Sequence, residues 1–275
     1  MSAHKRHGVT GIEMLVVIAI ISIMLALIMG GVMMVRGVDM AATTNIEIRE
    51  MATGLENFKA RYGFYPPSRV TLSPSSATCD AIVSQMWPGI DHTSAIGAGG
   101  LGLSGPVTLT GDQCLVFFLG GTQDSDGCKG FSTSSRNPFQ RPAAGELDRQ
   151  SPFFKFKTQR LFTRPGSSFF SYGDGFFKLN VNGAERITYY AYFAPVKNVG
   201  YVDTHCTQGD FKGNTPKPFK DAASAYLNRQ TFQIMSAGKN TLWGTARLWA
   251  AGMALTDVDS IDNITNFANG PLTGN

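Results

Sequence analysis

The chain has 275 residues, enough for one good-sized domain or two small ones, and at 43% hydrophobic and 16% charged it is composed like a folded protein with one strongly apolar segment. A net charge of +4 is modest, and no Lys/Arg stripe interleaved with aromatics appears, so nucleic acid is not an expected partner. With 31 Gly and 13 Pro, the part beyond residue 62 should be rich in turns.

The first eight residues are short, polar and basic, with Lys5 and Arg6. A continuous apolar run follows from Met14 to Val35, broken only by the hydroxyl of Ser22 and the pair Gly30-Gly31. As a helix it would extend roughly 33 Å, which predicts a span across a hydrocarbon core of about 30 Å. The preceding basic flank then predicts a cytoplasmic N-terminus and an exported remainder. The run is too long for the apolar region of a secretory signal peptide, whose cleavage site would follow it. A plain signal-anchor is the other reading, but it has no use for Glu13 at the threshold of the run. A carboxylate that deep in a bilayer costs roughly 2–4 kcal/mol unless it finds a partner.

Gly8-Val9-Thr10-Gly11-Ile12-Glu13, followed by Met14-Leu15-Val16-Val17-Ile18-Ala19-Ile20-Ile21, resembles the cleavage and methylation motif shared by type IV pilins and type II secretion pseudopilins. The resemblance covers about thirty residues. It implies cleavage by a prepilin peptidase after Gly8, N-methylation of Val9, and an assembly role for Glu13 and Thr10. Val9 departs from the usual Phe or Met. Cleavage there leaves the α-amine of Val9 four positions before Glu13. In a staggered bundle the carboxylate of one subunit can meet the amine of the next and fix register.

Beyond Asp39 the helical period continues. Ile48, Met51, Leu55, Phe58 and Tyr62 form an apolar stripe, with Glu47, Arg49, Glu50, Glu56, Lys59 and Arg61 assigned largely to the other side. Gly63 and Pro66-Pro67 end the helix. Gly30-Gly31 should weaken it locally, either as a point that unwinds on assembly or as a close-packing surface.

The later chain reads as short elements. Cys114–Leu119 is either a short helix or a buried strand. Phe153–Lys157, Phe176–Val181 and Ile187–Phe193 are predicted strands, the last two joined by an Asn182-Gly183 turn. Together they predict an α+β fold in which a long N-terminal helix, transmembrane in its first half, packs against an antiparallel sheet. The expected divisions are a leader at 1–8, a membrane and filament-core segment at 9–38, the outer half of the helix and its terminator at 39–67, and an exported domain at 68–275.

Cys79, Cys114, Cys128 and Cys206 lack CxxC spacing, which argues against zinc, and an exported domain favours two disulfides among them. Gly97–Gly102 satisfies GxGxxG, but without a preceding strand it reads as a flexible surface loop. Asp124 and Asp126, or Asp257, Asp259 and Asp262, are candidate calcium ligands; no other cofactor is expected. His92 and His205 lie in no catalytic motif, and no enzymatic activity is expected.

Two further segments refine the resemblance. Phe58–Pro66 is similar to the end of the long helix in major pseudopilins, and Phe232–Gly244 to their C-terminal Ser-x-Gly segment. There an Asp-Gly usually follows and the loop helps bind calcium; here Asn240 and Thr241 stand at the matching positions. The resemblance implies a shaft or other integrated subunit of a type II secretion pseudopilus, acting in protein export. Its implied partners are the peptidase, other pilin-like subunits, and an inner-membrane platform with its ATPase. A type IV pilin for adhesion, DNA uptake or motility is the alternative, and a single-pass membrane-anchored binding domain a more distant one.

Overall fold

The computed structural model describes residues 11–141, 148–181, 184–206, 215–253, 255–268 and 270–272. Two units, residues 1–40 and 41–275, are described separately.

Helix α1 runs from Gly11 to Tyr62, and its assignment is unbroken through Gly30-Gly31. In the first unit its described apolar side chains run from Ile12 to Leu25. Ser22 satisfies its hydroxyl locally by donating to the Ile18 carbonyl at 2.8 Å. Among the described residues no helix is long and apolar enough to cross a membrane. This finding corrects the expected transmembrane first half and, with it, the single-pass inner-membrane placement.

In the second unit the predicted stripe is the buried face of α1: Ile48, Met51, Leu55 and Phe58 are fully buried. The helix ends as expected, with Gly63 in a left-handed conformation, φ +81°, donating to the Lys59 carbonyl at 2.7 Å.

β1 (Val70–Leu72) pairs antiparallel with β2 (Val107–Leu109), and α2 (Ala81–Met86) and α3 (His92–Ile96) lie between them in the chain. The Gly-rich stretch after α3 is a tight turn rather than a loose loop. Leu101 N donates to Ala95 O and Leu103 N to Ile96 O, and a Cβ at Gly100 would lie 1.9 Å from the Ala95 carbonyl oxygen.

Helix α4 (Gly111–Gly120) resolves the ambiguity at Cys114–Leu119, and all ten of its residues are buried. A capping box between Thr110 and Gln113 starts it. Gly121, at φ +84°, ends it against Gly130, where any Cβ would meet the Gly130 backbone at 2.1 Å. Phe118 meets Phe58 of α1 edge-on at 5.8 Å, and Phe117 packs on Phe131 and Phe169 at 5.5 and 5.7 Å.

The remaining strands are short: the pair β3 (Gln123–Asp124) and β4 (Gly127–Cys128), the pair β5 (Leu161–Thr163) and β6 (Phe170–Tyr172), and the pair β7 (Leu179–Val181) and β8 (Ala184–Arg186). β9 (Ala191–Phe193), β10 (Gln233–Ser236) and β11 (Ile264–Thr265) form a three-stranded antiparallel sheet in the order β11-β10-β9.

Among the described residues the expected single sheet is thus corrected to five small ones within a mixed α+β unit. Phe153–Lys157 forms no strand. There Phe154 and Phe156 meet Tyr172 edge-on at 6.1 and 4.9 Å, so ring packing takes the place of a ladder. The Asn182-Gly183 turn lies outside the described residues.

The disulfide expectation is also corrected. All four cysteines are free thiols: Cys114 and Cys206 are buried, and Cys79 and Cys128 half-buried. Each has its own local setting. Cys114 lies within α4, with its Sγ 3.8 Å from the Leu109 carbonyl, whereas Cys128 packs beside Gly120.

Candidate functional site

The processing residues Gly8, Val9 and Thr10 lie outside the described residues. Glu13 stands in the first turn of α1, exposed, where a carboxylate complements the helix dipole. Around it Ile12, Met14, Leu15, Val16, Val17, Ile18, Ile20, Ile21, Ile23, Met24 and Leu25 are each between 49% and 74% exposed. Those positions circle the helix and are not confined to one stripe. A helix apolar on every side is ordinarily a buried one, so this segment is built to be covered.

The second unit contains a buried carboxylate network that its helical pattern half conceals. Glu47, assigned to the polar side of α1, is only 4% exposed. Its position four residues before Met51 places it on the apolar stripe, and that spacing was the available signal. Lys157 Nζ donates to Glu47 Oε1 at 2.9 Å, Tyr190 Oη to Oε2 at 2.7 Å, and Arg160 Nη2 also to Oε2. Burial alone would push the Glu47 carboxyl up, but the hydrogen bonds from Arg160, Lys157 and Tyr190 outweigh it and hold the group below its ordinary value.

Arg160 extends the network. Its Nη1 donates to the backbone carbonyl of Asp174 at 2.9 Å, and its guanidinium lies over the Tyr172 ring. Asp174 is fully buried and accepts from Ser236 Oγ, Thr188 Oγ1 and Phe176 N. Its burial outweighs those bonds and raises its carboxyl above the ordinary value. A second buried pair joins Asp112 of α4 to Arg164 at 3.0 Å, with Ser171 Oγ donating to the same carboxylate. Glu47, Asp174 and Asp112 thus fasten α1, α4 and the sheets together.

Protein groups already reach Asp124, Asp126, Asp257 and Asp262, although Asp262 Oδ1 is buried without a hydrogen-bond partner. Asp124 and Asp126 flank the ammonium of Lys129 at 3.8 and 3.7 Å. Asp257 Oδ2 accepts from Ala246 N, Thr245 Oγ1 and Ser260 Oγ at 2.9–3.0 Å, and from Thr245 N. Asp262 Oδ2 accepts from Asn240 N at 2.7 Å, and Asn240 Nδ2 donates to the Asp259 carbonyl at 3.0 Å. An amide donor thus sits against a carbonyl oxygen that a cation would otherwise claim. Among the described residues no three His, Cys, Asp or Glu side chains gather in a metal-binding group.

The segments Phe58–Pro66 and Phe232–Gly244, far apart in the second unit's sequence, meet in space. Tyr65, after the end of α1, packs edge-on against Phe232 at 5.1 Å, just before β10. Beside them opens a cavity of about 680 Å³. Lys59, Arg69, Lys197 and Arg229 line it with Phe64 and Val199, and Asp80 is the one carboxylate among its lining residues. His205 also lines it; burial and the neighbouring charge of Arg69 lower its pKa, so the ring is neutral at pH 7.

No family model, no curated protein and no solved structure matches the chain.

Proposed function

We propose that this chain is a structural subunit of a pilus-like filament, cut after Gly8 by a prepilin peptidase and joined to its neighbours through the first part of α1. The observation that carries this reading is the ring of exposed apolar side chains from Ile12 to Leu25, interrupted by the single carboxylate of Glu13. Packing that segment among copies of itself buries the apolar surface. It also brings the Glu13 carboxylate to the α-amine of a neighbour's Val9.

A pseudopilus of a type II secretion-like system, moving exported proteins, is the form of filament favoured by the similarity of Phe58–Pro66 and Phe232–Gly244 to major pseudopilins. The contact between Tyr65 and Phe232 is consistent with the two segments acting together in one structural unit.

The test is Glu13→Ala in the full-length chain, expressed in its own cell. The variant is expected to accumulate but to vanish from the sheared filament fraction, while Glu13→Asp retains part of the incorporation. Undiminished incorporation of Glu13→Ala would overturn the proposal.

A further inference from the structure

The basic cavity and the acidic turn at Asp257–Ser260 are complementary in charge. The cavity wall contributed by Val196–Gly200 is a closed turn. Val196 N donates to Gly200 O at 2.8 Å and Gly200 N to Val196 O at 3.0 Å, with Asn198 and Gly200 both at positive φ. At its apex Val199 is 70% exposed, with Lys197 beside it, 5.9 Å over the Phe64 ring. Four cations thus rim an apolar wall, and Asp80, their one carboxylate, already accepts from Thr71 N.

The acidic turn is Asp257-Val258-Asp259-Ser260. Ser260 N donates to Asp257 O at 3.0 Å, and Asp259 N to Asp257 Oδ1 at 3.2 Å. The donors from Thr245, Ala246 and Ser260 hold Asp257, and Asn240 Nδ2 holds the Asp259 carbonyl. Hydrogen bonding from the Thr245 amide, followed by that from Ala246, keeps the Asp257 carboxyl ionised far below neutrality. At this apex Val258 is 72% exposed between two carboxylates. The turn is pre-organised, so little ordering entropy is lost when it docks. It does not line the cavity of its own chain.

We propose that the Asp257–Asp259 turn of one copy seats in the Lys59/Arg69/Lys197/Arg229 cavity of a second copy, Val258 against Val199 and its apolar surroundings. Because the two surfaces are different patches of one chain, the contact is heterologous and propagates head to tail. That is the symmetry an open helical filament requires. The inference rests on the filament reading and supplies its contact between second units. The carboxylates choose the partner and orientation more than they add affinity, as interfacial charges generally do.

The test places a benzophenone amino acid at position 258 of the full-length chain in its own cell and maps the cross-linked peptides. The expected product joins position 258 to residues 59–69 or 194–205 of a second copy. Lys197→Glu or Arg229→Glu should lower its yield several-fold, and Asp259→Lys should partly restore it. Filaments whose copies cross-link from position 258 elsewhere, to a different protein, or not at all would overturn this contact while leaving the filament reading standing. Absence of any filament would overturn both.

Discussion

Glu47 and Tyr190, 143 positions apart in the chain, share a hydrogen bond of 2.7 Å in the interior of the second unit, and Arg160 and Lys157 converge on the same carboxylate. A buried ion pair adds little net stability relative to apolar residues, but stranding one of its charges is costly. Glu47→Ala is therefore expected to lower the unfolding free energy by about 3–5 kcal/mol. Arg160→Met should cost a similar amount, and the double variant less than the sum of the two. Urea unfolding of the four proteins measures this, and strict additivity would show that the pair is not coupled.

Glu47 and Asp174 respond to pH in opposite directions. Glu47 titrates below its ordinary value of 4.5 in the folded chain, so its contribution is present above pH 4.5 and is lost as pH falls through the lowered value. Asp174 titrates above its ordinary value of 3.8, so its contribution is full below pH 3.8 and is lost as pH rises through the raised value. Unfolding midpoints across pH should therefore fall less on acidification in Glu47→Gln than in the parent. In Asp174→Asn they should fall less between pH 3.8 and neutrality. Identical pH profiles for all three would contradict this assignment.

Gly54 reverses the usual helix rule. Replacing a mid-helix glycine by alanine ordinarily stabilises by about 1 kcal/mol. Here the added Cβ would lie 2.9 Å from the Phe153 carbonyl oxygen and 3.4 Å from its carbon, and a backbone group cannot swing away. Gly54→Ala should destabilise by roughly 1–3 kcal/mol in thermal unfolding. A gain in stability would mean that α1 and the 153 segment are not in this contact.

The thiols offer a direct check on the cysteine correction. Burial raises all four, Cys128 and Cys206 to about 12 and Cys114 well above its ordinary value. In denaturant without reductant, mass spectrometry should find four alkylated cysteines. In the folded chain Cys79 should react well before Cys114. A denatured chain that takes up label only after reduction would restore the disulfides.

What the sequence revealed depended on how local the determinants were. The stripe Ile48, Met51, Leu55 and Phe58 was legible because period alone specifies a helix face, and Gly63 with Pro66-Pro67 marked its end. Glu47 was misassigned because the reason for its burial lies in Lys157, Arg160 and Tyr190, over a hundred positions away. The Phe153–Lys157 segment carries strand-like residues that side-chain packing, not pairing, satisfies. The single sheet failed for a related reason: an apolar run shows that a segment is buried but not which partner it finds. The rim cations Lys59, Arg69, Lys197 and Arg229 come from four separate stretches, and only the fold gathers them.

The most direct measurement is mass spectrometry of the N-terminal peptide of the chain purified from its own cell. A peptide beginning with N-methylated Val9 is the expected result and would establish processing as a filament subunit. A chain that retains residues 1–8 in a cell with an active prepilin peptidase would contradict it.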